Sequence, residues 1–104
     1  MAITANVDLG NGVTASSCYI IVPLAYVKKF TDEDGSNPTF KLSYDAEIYQ
    51  NSTKRIARKT TNRIACREVD HFVIDYDTAA SDNPFVLAYA HLKTNSSLSS
   101  VADA

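Results

Sequence analysis

The chain has 104 residues, 45% of them hydrophobic, with six Tyr, four Phe and no Trp, and a formal net charge of -2. That length fits one domain with a modest core, and the apolar content excludes a disordered chain. With three Gly and three Pro in all, collagen-like and linker-rich architectures are excluded, and the longest apolar run, residues 19 to 26, contains Pro23 and is too short to cross a bilayer.

In chain order, residues 3 to 9 (ITANVDL) read as a short strand. GNG at 10 to 12 supplies residues that tolerate positive φ, as a tight hairpin needs. The next strand runs from about Val13 to Phe30 and is rich in β-branched and aromatic residues. Pro23 has no N–H, so it marks a bulge, an edge or a bend within that strand. TDEDGSNP at 31 to 38 reads as a polar loop. Phe40, Leu42, Tyr44, Ala46 and Ile48 then alternate with Lys41, Ser43, Asp45 and Glu47, a period of two that buries one face and wets the other. NSTK at 51 to 54 is a turn, a loop follows into a strand near Arg63, and residues 67 to 77 form a strand with Phe72, Ile74 and Tyr76 on one face.

The period then changes. Asp82 or Asn83 is placed to cap a helix whose first residue is Pro84. Phe85, Ala88, Tyr89 and Leu92 share one helix face, and Lys93 lies where the helix dipole favours a cation. The expected fold is α+β and β-rich: an antiparallel sheet or small β-sandwich with one C-terminal helix at about 84–94. Residues 1–94 form the single domain, and 95–104 form a polar tail anchored by Leu98 and Val101, partly disordered or docked on a neighbour.

No catalytic constellation emerges. The chain has no G-x-S-x-G elbow, P-loop or G-x-G-x-x-G. His71 and His91 fall on different elements and supply too few ligands for a metal site, and His91 reads as a polar-face helix residue. DEDGSN at 32 to 37 fails as a calcium loop, because Gly35 and Ser43 occupy the fourth and twelfth positions where Gly is needed sixth and Glu twelfth. The expectation is a non-enzyme with no cofactor and no metal. MAITANVDLG has neither a basic nor an apolar signal region, so folding in a cytoplasm is expected, with Cys18 and Cys66 as buried small hydrophobes.

The most specific local feature is KRIARKTTNRIACR at 54 to 67, with six positive charges and no negative one; the other ninety residues carry four Lys/Arg against twelve Asp/Glu, a net of -8. Binding of nucleic acid is disfavoured by an acidic chain and a block without aromatic residues. A protein contact fits better, because opposed charge patches let subunits associate plus against minus. Arg55, Arg58, Lys59 and Arg63 are expected to meet an acidic surface of a neighbouring subunit, with Asp32, Glu33 and Asp34, or Asp75 and Asp77, as partners within copies of the chain.

Two stretches carry a resemblance. VDLGNGVTASSCYIIV (7 to 22) is similar to the opening of many small structural proteins of tailed bacteriophages. NPFVLAYAHLKTNSSLSSVADA (83 to 104) resembles their closing helix and tail, with Tyr89, Leu92, Lys93, Ala102 and Asp103 at the shared positions. The resemblance implies a non-enzymatic virion component of the tail, baseplate or fibre-attachment region, made in the host bacterial cytoplasm. Its implied partners are other virion proteins and copies of itself; no membrane is expected, and nucleic acid stays the disfavoured partner. The alternatives are a small nucleic-acid-binding protein using residues 54–67 and a capsid decoration protein.

Overall fold

Five strands and one helix account for most of the chain in the computed structural model, which describes residues 2–10, 12–30, 39–51, 63–77 and 83–104. They are β1 (Ile3–Asp8), β2 (Thr14–Phe30), β3 (Thr39–Tyr49), β4 (His71–Asp75), α1 (Pro84–Leu92) and β5 (Leu98–Asp103). All pairings are antiparallel, in one sheet of order β4-β3-β2-β1-β5. The β-rich α+β expectation holds, as one sheet with a helix rather than two packed sheets.

The β1–β2 connection behaves as its glycines require. Gly10 and Gly12 have φ of 85° and 81°, and the Leu9 N–H donates to the Val13 carbonyl at 3.0 Å. β2 and β5 are each bulged against β1, with register shifts between Ala5 and Val7 on one side and Thr4 and Asn6 on the other. Ser17 and Ser100 adopt positive φ opposite those shifts, and the Asn6 side chain accepts from the displaced Ser17 N–H at 2.8 Å.

Pro23 sits at a third bulge, where the β2–β3 register shifts between Ile21 and Leu24. Val22 is buried there, and its N–H donates to the hydroxyl of Tyr89 on α1 at 2.8 Å. A helix side chain thus satisfies a backbone donor near the bulge. The bulge also changes the phase of the strand. Cys18, Ile20 and Val22 face the core, but beyond the bulge Ala25 pairs with Tyr44 and Val27 with Leu42, so odd positions face inward.

The core lies on one face of the sheet. Ile3, Val7, Ile20, Leu42, Tyr44 and Ile48 are fully buried, and α1 covers them with Ala88, Tyr89 and Leu92. Each such side chain contributes roughly 1.5–3 kcal/mol by leaving water. Asn83 caps α1, accepting from the Val86 N–H at 3.0 Å, and Pro84 occupies the first turn. The helix ends at Leu92, two residues before the expected boundary. Phe85, expected on the buried face, is 42% exposed, because the helix start reaches past the edge of its contact with Val22.

Two further expectations are corrected. The strand expected over 67–77 is β4 at His71–Asp75, preceded by a turn, because Cys66 and Val69 leave the sheet plane to join the core. Near Arg63 there is a single bridge to Tyr49. Residues 95–104 are not a tail: Leu98–Asp103 form β5, with Leu98 buried against the core and pairs from Ile3–Asp103 to Val7–Leu98. The turn expected at 51 to 54 and the loop at 31 to 38 fall largely or wholly outside the described residues.

Candidate protein-contact surface

The two faces of the sheet differ. The helix and the 63–70 segment both pack on the core face, where Cys66 and Val69 join the main cluster. On the outer face the strand register aligns side chains in rows. Tyr19 pairs with Tyr49, and Ile21 with Glu47; then come Leu24, Asp45 and His71, then Tyr26, Ser43 and Val73, then Lys28, Lys41 and Asp75, and last Phe30 with Thr39. Ala2, Ile21 and Tyr49 form a second small buried cluster at one end of this face. Leu24, Phe30 and Val73 are 48%, 47% and 55% exposed, large apolar side chains in water on a face that no described helix covers. Patches of this kind mark contact surfaces more often than single exposed apolar residues do.

Sequence pattern alone placed the alternation on β3 but not the apolar character of the opposite face. Ser43, expected in water, is 3% exposed, flanked in its row by Tyr26 and Val73. The missing signal was the Pro23 bulge, which sends Leu24, Tyr26 and Phe30 outward although they share parity with Cys18, Ile20 and Val22.

Several charges on the outer face are paired within the chain, while Lys28 lies over the Tyr26 ring at 5.6 Å. Lys41 forms an ion pair with Asp75, and His71 Nδ1 lies 2.5 Å from Asp45 Oδ1. Of the residues expected at a subunit contact, Arg63, Asp75 and Asp77 are described. Arg63 Nη1 is 3.5 Å from Glu47 Oε2, a half-exposed pair on β3. Asp75 is engaged by Lys41, and Asp77 is exposed. Arg55, Arg58, Lys59, Asp32, Glu33 and Asp34 lie outside the described residues. A cleft of about 540 Å³ opens beside the 63–70 segment, lined by buried Ala46 and Val69 and by exposed Arg63 and Arg67. Asp70 lines it as well, so its rim carries both signs of charge.

His91 is not on a polar face. Its ring meets Tyr44 and Phe72 edge-on, each at 5.7 Å, and its Nδ1 is 2.5 Å from the Tyr44 hydroxyl. Tyr44 stacks on Phe72 with centroids 5.0 Å apart. The three rings join α1, β3 and β4 on the core face. Among the described residues no three His, Cys, Asp or Glu side chains converge to hold a metal, and no helix is long and apolar enough to cross a membrane. Cys18 and Cys66 are free thiols, both buried.

Burial pushes the Tyr44 phenol well above its ordinary pKa of 10.0 and raises the Cys18 thiol above 9.0. Both are acids that the folded state keeps protonated where the unfolded chain releases the proton. Their stabilisation is therefore complete below the unfolded values and is lost as pH rises through and beyond them. Urea midpoints are expected to fall above about pH 10, with Tyr44 contributing up to about 1.4 kcal/mol per pH unit. Tyr44→Phe keeps the ring and removes the ionisation, so its midpoint should fall less steeply between pH 10 and 11. Equal slopes for the two proteins would exclude Tyr44 as the source.

Comparison with protein-family models, curated proteins and solved structures finds no match for this chain.

Proposed function

We propose that the protein is a non-enzymatic structural component of a tailed-phage virion, in the tail, baseplate or fibre-attachment region, acting through protein–protein contacts in a symmetric assembly. The observation that carries the contact reading is the outer sheet face, where Leu24, Tyr26 and Phe30 of β2 and Val73 of β4 stand at the surface among the polar side chains of β3. A soluble sheet that faces water on one side normally alternates apolar-in with polar-out, and this one departs from that rule at Leu24, Tyr26 and Phe30 of β2 and at Val73 of β4, while β3 between them keeps it. The phage context rests on the resemblance of residues 7 to 22 and 83 to 104 alone.

The basic segment at 54 to 67 extends this reading as a second contact region, with Arg63 and Arg67 beside the cleft. Charged residues there would set orientation and association rate more than affinity. The direct test is mass spectrometry and cryo-electron microscopy of particles from cells that express the chain. Multiple copies at symmetric positions, with the outer face covered by protein, are the expected result. A chain absent from particles that shifts labelled DNA at about 150 mM salt would replace this reading with the nucleic-acid one.

A further inference from the structure

We infer that the outer sheet face docks a second copy of the chain, face to face, about a two-fold axis that lies perpendicular to the strands and passes over Ser43. The inference rests on the assembly reading and names the partner.

The argument is the order of the rows. With the row of Tyr26, Ser43 and Val73 as the centre, one step along the strands in one direction gives Leu24, Asp45 and His71; one step in the other gives Lys28, Lys41 and Asp75. A two-fold axis along the central row reverses the strand direction and keeps each strand over its own copy. Lys41 of one copy then lies over Asp45 of the other, and Asp75 over His71. The Lys28 stem lies over Leu24. Like charge meets like charge nowhere in these two rows. A two-fold axis parallel to the strands lets rows meet themselves, and sets the Lys28, Lys41 row on its own copy.

The next rows out agree. The same axis carries Phe30 of one copy onto Ile21 of the other, whose side chain belongs to the small apolar cluster with Ala2 and Tyr49. Phe30 is exposed in the single chain, and this placement sets it against an apolar residue. The centre is shaped for close approach. Ser43 is small and sits between Tyr26 and Val73, so no long side chain of β3 stands on the axis between sheets spaced about 10 Å apart. The in-chain contacts Lys41–Asp75 and Asp45–His71 survive and join polar clusters on each side of the central row.

The strip from Thr39 to Glu47 is about 27 Å long at 3.4 Å per residue, and three strands are about 14 Å wide. That footprint, roughly 380 Å² per copy, is about half that of a standard specific interface, so association is expected to be weak and transient, on the order of 100 µM. Sedimentation velocity of the full chain from about 10 to 500 µM should show a reversible monomer–dimer equilibrium. Val73 meets itself across the axis, so Val73→Glu sets two carboxylates together. It should raise the dissociation constant at least about tenfold while the thermal melt of the monomer is retained. Lys41→Glu and Asp45→Lys should each weaken the dimer, and the two together should restore it, since each changed residue then faces the other across the axis.

A wild-type chain that stays monomeric throughout this range overturns the inference. If that chain nonetheless loses incorporation into particles on Val73→Glu, the face belongs to another protein and the assembly reading stands. If Val73→Glu dimerises and incorporates as the wild type does, both fall. A dimer broken by Val73→Glu but not restored by the double exchange overturns the two-fold geometry.

Discussion

A chain ending at Ser97 will not fold cooperatively at room temperature. Removing residues 98 to 104 strips β5 from the edge of the sheet. Leu98, buried against the core, goes with it, as do the ladder to β1, the hydrogen bond from Ala104 N to the Ala2 carbonyl at 3.0 Å, and the Lys93–Asp103 ion pair at 2.6 Å. Leu98 alone is worth roughly 1.5–3 kcal/mol, and each ladder bond about 1 kcal/mol net. The Lys93–Asp103 pair is largely exposed and adds little. The removed segment recovers its chain entropy, which offsets part of the loss. Truncation also leaves Ile3 and Val7 on an edge strand, half-uncovered. Against a total stability of about 5–10 kcal/mol for a domain of this length, the remaining balance is close to zero. Circular dichroism of the truncated chain should show no cooperative thermal transition. A melting temperature within about 5 °C of the full chain would show that β5 contributes little.

This result bears on what could be read from the sequence. Leu98 and Val101 are spaced by three in a segment of Ser, Asn and Ala, which carries neither the alternation of a strand nor the composition of one. The segment becomes a strand because β1 offers an unpaired edge and because Ser100 takes a positive φ that bulges the pairing. That is a tertiary cause, invisible to local pattern. By contrast β3 was legible because its alternation spans nine residues, and the helix because Asn83 and Pro84 mark its start. Phe85 and His91 were misplaced for one reason. Helical spacing gives a face, but which neighbours meet its ends depends on where β3 and β4 present Tyr44 and Phe72.

The outer face was hidden by phase. Apolar residues at 18, 20, 22, 24 and 26 look like one continuous buried stripe. The bulge at Pro23 divides them between the two sides of the sheet, turning half of an apparent core into a surface. Pro23 was readable as a bulge, an edge or a bend, and only the pairing partners of Leu24 decide among these. The basic block, the loudest signal in the composition, lies mostly outside the described residues, with Arg63 held by Glu47 and Arg67 beside the cleft.

The bulge also sets the second large effect. Tyr89→Ala is expected to destabilise the protein by about 3–5 kcal/mol, as aromatic-to-Ala changes in cores do. The ring is 4% exposed and packs in the main cluster, so its removal leaves a cavity between α1 and β2. The hydroxyl adds a separate contribution. It accepts from the Val22 N–H at 2.8 Å, next to Pro23, which has no N–H to give the ladder. In Tyr89→Phe the ring stays and that buried donor loses its acceptor, at a cost of about 1–3 kcal/mol. The ratio of the two variants therefore separates packing from backbone satisfaction. Urea denaturation of both, fitted with a common slope, measures it. If Tyr89→Phe matches the wild type within about 0.5 kcal/mol, water or a local shift replaces the hydroxyl and the bulge does not depend on the helix. If it costs what is expected, the same side chain that anchors α1 also holds open the bulge that turns Leu24, Tyr26 and Phe30 outward. The contact face and the core would then depend on one residue.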